Sequence, residues 1–122
     1  MSLLQRQKGK VGERKTVHYL RSLGYTARRS QQHSGDAGDS DVIIEQLPHL
    51  FVEVKYGYPG TRLGNSTIDE WMVKADGQAA GNASVVFWWQ SRASEPVLLY
   101  WRGGTRHATW GESAIKEVLN GN

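Results

Sequence analysis

No cysteine occurs in this chain, which excludes a disulfide framework and a thiolate zinc site. Long apolar segments are missing too. The strongest runs, Val85–Trp89 and Val97–Trp101, fall far short of the roughly 20 residues that a membrane-spanning helix needs. The opening residues, Met1-Ser2-Leu3-Leu4-Gln5-Arg6, lack the apolar stretch of a signal peptide, so the sequons at Asn65 and Asn82 are read as chance. There is no internal repeat and no low-complexity tract. A soluble cytoplasmic protein with no membrane partner is expected, residing in the host cytoplasm if its origin is viral. At 122 residues it suits a single domain that buries roughly two-thirds of its unfolded surface.

Acidic residues are scarce at the start. Residues 1–29 hold one acid, Glu13, against eight of the fifteen Lys and Arg: Arg6, Lys8, Lys10, Arg14, Lys15, Arg21, Arg28 and Arg29. The whole chain carries only +3, so the asymmetry matters more than the sum. Clustered positive charge favours a polyanion through phosphate neutralisation and counterion release; a solvated basic helix face is the plain alternative. Residues 1–10 are expected to form a flexible basic segment.

Pattern and punctuation give the elements. A helix is predicted from about Lys8 to Leu23, closed by Gly24. Val17, Leu20 and Gly24 share one side of it, and Glu13 lies one turn earlier on that side. A carboxylate is thereby placed on the face that should pack against a sheet, a local violation of the kind that tends to be functional. Tyr25–Arg29 reads as a strand and residues 30–40 as a polar loop. Strands at Asp41–Glu45 and Leu50–Lys55 are joined by a hairpin-length link. A glycine-rich loop covers Tyr56–Ser66. Thr67-Ile68-Asp69-Glu70 reads as a capping box opening a helix to about Ala80. Val85–Gln90 and Pro96–Arg102 are strands, and Thr109-Trp110-Gly111-Glu112 reads as a second capping box before a last helix. The order α-β-β-β-α-β-β-α implies an α/β fold, a mixed central sheet flanked by helices. Val85–Gln90 is apolar on both faces, so it should be central or at a subunit interface.

The chemistry centres on Glu53-Val54-Lys55. Side chains along a strand alternate, so Glu53 and Lys55 share one face while Leu50, Val52 and Val54 share the other. As a bare tripeptide this is an ordinary solvent-facing pair. With Asp41 on the preceding strand and Glu13 on the helix, three carboxylates converge and Lys55 offsets only one charge. A hard divalent cation resolves that conflict: Mg²⁺ takes one or two protein carboxylates and accepts phosphate oxygens in its remaining positions. It would acidify an attacking water and stabilise charge on the phosphorus centre, with Lys55 orienting the water, activating it or neutralising the transition state. Asp39-Ser40-Asp41 lacks the glycine and distal glutamate of a calcium loop. His18, His33, His49 and His107 form no HExxH pair and read as surface or core residues, with His33 a minor DNA-contact candidate.

Gly9-Lys10-Val11-Gly12-Glu13-Arg14, Gly24-Tyr25, Arg29-Ser30, Gly38-Asp39-Ser40-Asp41-Val42 and Phe51-Val52-Glu53-Val54-Lys55 together resemble the PD-(D/E)xK nuclease superfamily, nearest its archaeal-type Holliday junction resolvase branch, phage relatives included. The likeness covers about residues 8–58. It implies a restriction-endonuclease-like fold and a Mg²⁺-dependent homodimer, with one or two ions per site and Mn²⁺ able to substitute. Such an enzyme nicks opposed strands of a four-way DNA junction and leaves 5′-phosphates. By that resemblance Glu13, Asp41, Glu53 and Lys55 are catalytic, and the Val54 carbonyl joins the three carboxylates as a metal ligand. Arg29 contacts DNA near the scissile phosphate. Lys8, Lys10, Arg14, Ser30, Ser34 and Lys74 complete the candidate DNA contacts, with Gln78 on the same helix face as Lys74. The loop departs from the pattern in its acidity. Asp39 rivals Asp41 for the metal, and Asp41 is preferred because an apolar strand follows it directly. Trp88, Trp89, Trp101 and Trp110 could stack on unpaired bases, but core and dimer contact is the better expectation. A nuclease acting on flaps, forks or duplex DNA, and a non-catalytic DNA-binding module of the same fold, are the competing readings.

Overall fold

The computed structural model describes residues 3–30, 40–58 and 64–122. Its elements run α1 (Leu3–Ser22), β1 (Ala27–Arg29), β2 (Val42–Ile44), β3 (Phe51–Tyr58), α2 (Asn65–Gln78), β4 (Ser84–Gln90), β5 (Val97–Arg102), β6 (Thr105–Trp110) and α3 (Glu112–Asn120). The order differs from the sequence expectation by one strand, β6. Arg102 pairs with Thr105 across Gly103-Gly104, whose φ angles are +59° and +78°. Two consecutive positive φ values make the tight turn that closes a hairpin, and glycine adopts them without steric cost.

The main sheet has four strands in the order β3-β4-β5-β6. β3 and β4 are parallel, connected through α2, and the other two pairings are antiparallel. The result is a mixed sheet flanked by helices, with β4 internal and its residues 84–89 all buried, as its two-sided apolar pattern requires. β1 and β2 form a separate antiparallel pair.

Alternation along the strands divides the core in two. Val52, Val85, Phe87, Trp89 and Leu98 face Val17 and Leu20 of α1, Ile115 and Leu119 of α3, and Ala27, Val42 and Ile44 of the small sheet. Phe51, Val86, Trp88 and Leu99 face Trp71, Met72, Ala75 and Ala79 of α2. Of the four tryptophans expected in core or dimer contacts, Trp88 and Trp89 are buried and Trp101 is half-buried: Trp88 meets Trp71 edge-on with centroids 6.0 Å apart, and the Trp89 indole N–H donates to buried Thr16 at 2.8 Å. Trp110 stands 70% exposed on the last strand.

Helix boundaries show what local motifs decided. α1 ends as expected: Gly24, at φ +97°, donates to the Arg21 carbonyl while Tyr25 donates to that of Leu20, a Schellman closure. It starts earlier than expected, so residues 3–10 belong to this helix. Neither capping box forms. α2 begins at Asn65 with Gly64 at its N-cap and no side-chain cap, because the Gly64 carbonyl already takes the Thr67 N–H, and Asp69 pairs instead with Arg106 at 3.4 Å. α3 begins after Gly111, since Thr109 and Trp110 are held in β6 opposite Leu98 and Val97. No helix among the described residues is long and apolar enough to cross a membrane.

Candidate active site

Strand alternation places Glu53 and Lys55 on the α2 face of β3, and Val54 and Tyr56 on the α1 face. Lys55 Nζ lies 3.9 Å from Glu53 Oε1 and 5.6 Å above the Trp71 ring. The aromatic face fixes the ammonium beside its carboxylate.

Asp41 joins the small sheet to the open edge of β3. Its N–H donates to the Val52 carbonyl at 2.8 Å, and its carbonyl accepts the Ser30 N–H at 3.1 Å. Its carboxylate Oδ2 accepts the Val54 N–H at 2.9 Å. Ser40 reinforces the junction by accepting the Val52 N–H on its hydroxyl at 3.1 Å. A strand residue's N–H and C=O project to the same side, so the Val54 carbonyl faces the edge that Asp41 occupies.

Glu13 reaches the same edge from the opposite layer. Its turn of α1 lies close on β3 because residue 12 is glycine. A Cβ at position 12 would sit 2.7 Å from Tyr56 Cβ and 3.0 Å from Val54 Cγ1, distances no side chain tolerates without displacement. Glu13 Oε1 pairs with Arg29 Nε at 3.1 Å.

The electrostatics identify Asp41 as the hub. Burial raises its pKa, then the charge of Glu53; the Val54 hydrogen bond and Lys55 oppose these, and the balance stands at about 7. Glu13 is also raised, first by burial, with Arg29 opposing and Asp41 adding. Glu13 thus senses Asp41, and a divalent cation would relieve the repulsion that Glu53 exerts on Asp41.

The expected convergence of all three carboxylates is only partly assembled. Among the described residues no group of three His, Asp or Glu side chains is gathered tightly enough to hold a metal ion. Glu13 sits on the far face of the sheet from Glu53, turned to Arg29. Asp41, Glu53 and the Val54 carbonyl are the donor set nearest to completion, and two carboxylates suffice for Mg²⁺.

Of the expected DNA contacts, Arg29 and Ser30 flank the site, and Lys10 lies near enough to Glu13 to lower its pKa. Arg14 is exposed and turned toward a neighbouring cleft. Lys74 is exposed and Gln78 half-buried on α2, one and two turns beyond Trp71. Lys8 lies within α1. His33, Ser34 and Asp39 lie outside the described residues. Gly12, Ser40 and Trp71 were not anticipated. A glycine beside the only acid of a basic helix was the available signal for Gly12; nothing local marked Trp71 as the seat of Lys55.

Compared with known proteins, the chain matches no family model, no curated protein and no solved structure at a significant level.

Proposed function

We propose that this protein is a divalent-metal-dependent endodeoxyribonuclease with a restriction-endonuclease-like fold, and that its substrate is the four-way DNA junction. The observation that carries the hydrolase reading is the Asp41–Glu53–Lys55 arrangement on one strand edge: two carboxylates in mutual repulsion, Asp41 raised to about 7, with an ammonium 3.9 Å from the second. The junction as substrate is an expectation from motif resemblance.

In this reading Asp41, Glu53 and the Val54 carbonyl would hold the cation, Asp41 in its ionised form. Bound there, Mg²⁺ or Mn²⁺ supplies the Lewis acidity that acidifies a water and neutralises charge on the phosphoryl oxygens. Lys55, fixed over Trp71, presents its ammonium to the phosphate or to the water beside Glu53. Arg29 and Lys10 supply positive charge for the flanking phosphate, and a phosphate on Arg29 competes with Glu13 for the guanidinium, freeing that carboxylate toward Asp41. Symmetric nicking of two strands needs two sites, most simply in a two-fold dimer, for which exposed Trp110 is an available apolar contact.

The test is a side-by-side digestion of junction, fork, flap and linear duplex with Mg²⁺. Paired nicks confined to the junction support the full reading. Equal cutting of duplex keeps the nuclease and removes the junction. The separation of Glu13 from Glu53 favours one rival, a non-catalytic DNA-binding module; tight junction binding with no product in Mg²⁺ or Mn²⁺ would establish it.

A further inference from the structure

The turn between β4 and β5 holds an arginine where the backbone favours glycine. Gln90, the last residue of β4, accepts the Ala93 N–H at 3.0 Å, and Arg92 sits at φ +65°. That is the pattern of a type II turn, whose third residue needs a positive φ and is usually glycine or asparagine. For a residue with a Cβ this left-handed conformation is strained. Such strain persists only where the surroundings hold it, and it clusters at functional sites.

The holding element is β3. Tyr56 pairs with Trp89 and Tyr58 with Gln90, so Gly57, at φ +85°, is an extra residue, a β-bulge. Bulges are rare in parallel pairs and over-represented beside active sites. The Gly57 carbonyl accepts the Ser91 hydroxyl at 2.9 Å. Ser91 immediately precedes Arg92, and Gly57 lies two residues beyond Lys55, about 7 Å along the strand. β3 and β4 are parallel, so bulge and turn meet at the carboxyl ends of both strands, where open α/β sheets bind their ligands.

Arg92 is exposed and has no ion pair or hydrogen bond among the described residues. Ser94, in the same loop, shares a cleft with exposed Arg14 and His18 of α1, so the turn borders the basic helix. Glycine would fit this backbone better. What position 92 gains from arginine is therefore its side chain, a permanent charge with a planar fork of donors that matches phosphate oxygens.

The geometry points to Arg92 as a clamp for one backbone phosphate of the DNA strand that passes Lys55, a contact that positions the strand and reads no base. It rests on the nuclease reading for the course of that strand, though the contact itself can be measured without cleavage.

The test compares parent, Arg92→Gly and Arg92→Lys as full chains in EDTA. A fluorescein-labelled four-way junction is the probe, its anisotropy read between about 50 and 200 mM KCl, with thermal melts in parallel. Arg92→Gly should bind about 3- to 10-fold more weakly, and its slope of log affinity on log salt should be shallower by about 0.9, the loss of one phosphate contact. Its melting temperature should rise by about 2–6 °C as the strain is relieved. Arg92→Lys should keep the parent's slope. Parental affinity and slope in Arg92→Gly overturn the clamp, and so does weaker binding accompanied by a lower melting temperature, which would make Arg92 structural. If binding changes as expected but no variant or parent cuts DNA in Mg²⁺, the clamp stands and the nuclease reading falls. If Arg92→Gly nicks junctions with the parent's salt dependence, the nuclease reading stands and the clamp falls. A parent that binds no DNA removes both.

Discussion

The Val54 amide donates to Asp41 Oδ2 at 2.9 Å, so the strand that carries Glu53 and Lys55 also holds the third member of the cluster. The aspartate is fixed at both ends, its backbone on Val52 and its side chain on Val54. Its proximity to Glu53 follows from hydrogen bonds made before any cation or DNA arrives.

That placement destabilises the metal-free protein as pH rises. Asp41 rises from 3.8 in the unfolded chain to about 7 in the fold, so between these values the native state binds more protons than the unfolded state. Stability is then fully present below about pH 4 and is lost as pH rises through about 7. Asp41→Asn removes the titration while keeping an acceptor for Val54. In EDTA the variant should match the parent near pH 4 and exceed it at pH 8 by on the order of 2–4 kcal/mol, measured by urea denaturation. Mg²⁺ should stabilise the parent at pH 8 and leave the variant unmoved. A variant less stable than the parent at both pH values would remove the electrostatic account.

Two glycines on helices make opposite predictions. Gly77→Ala meets nothing within 4 Å, so better helix propensity should stabilise the protein by about 0.5–1 kcal/mol. Gly12→Ala drives a Cβ into Tyr56 and Val54, an overpacking cost of about 1–3 kcal/mol that outweighs the same propensity gain. The melting temperature should rise for the first and fall for the second. Gly12→Ala should also raise the Mg²⁺ concentration needed for half-maximal nicking, since the clash with Val54 Cγ1 displaces the strand residue whose carbonyl is a candidate ligand. A Gly12→Ala protein with unchanged melting temperature and Mg²⁺ requirement would contradict the close approach.

Much of this was legible in the sequence, for identifiable reasons. Gly24 ends α1 because a left-handed residue is needed there, and alternation alone puts Glu53 and Lys55 on one face of β3. Other features depend on distant partners. Asp69 looked like part of a capping box, but Arg106 on β6 takes it. The Gly103-Gly104 pair is a local hairpin signal, and β6 follows from the turn it makes. The turning of Glu13 toward Arg29 could not be read from either residue's neighbours, because they lie 16 positions apart in separate elements.

The Glu13–Arg29 pair is partly exposed, with side chains 21% and 35% accessible, so its direct contribution to stability should be small. A double-mutant cycle of Glu13→Gln and Arg29→Met should give a coupling under about 1 kcal/mol in chemical denaturation. Nicking should fall at least about 10-fold in each single variant, because both residues serve the phosphate side of the site. Coupling of several kcal/mol with nicking intact would make the pair structural.

Removing Thr16 should expose the cost of an unpaired indole. Its hydroxyl accepts from Trp89 and donates to the Gly12 carbonyl, both at 2.8 Å. Thr16→Val should destabilise by about 1–3 kcal/mol, and Thr16→Ser should recover most of that in thermal melts. Equal melting temperatures for the two variants would mean that the hydroxyl is not what matters.

The central claim is that Asp41, Glu53 and Lys55 hydrolyse DNA with a divalent cation, and the most direct measurement is single-turnover nicking of an end-labelled four-way junction. Parent protein, Glu53→Ala and Lys55→Ala are compared with Mg²⁺, and junction binding is read in parallel in Ca²⁺. The expected result is symmetric 5′-phosphate nicks by the parent, rates at least about 100-fold lower in both variants, and binding retained in all three. A parent that binds the junction without cutting it in Mg²⁺ or Mn²⁺, or a Glu53→Ala protein that cuts as fast as the parent, would contradict it.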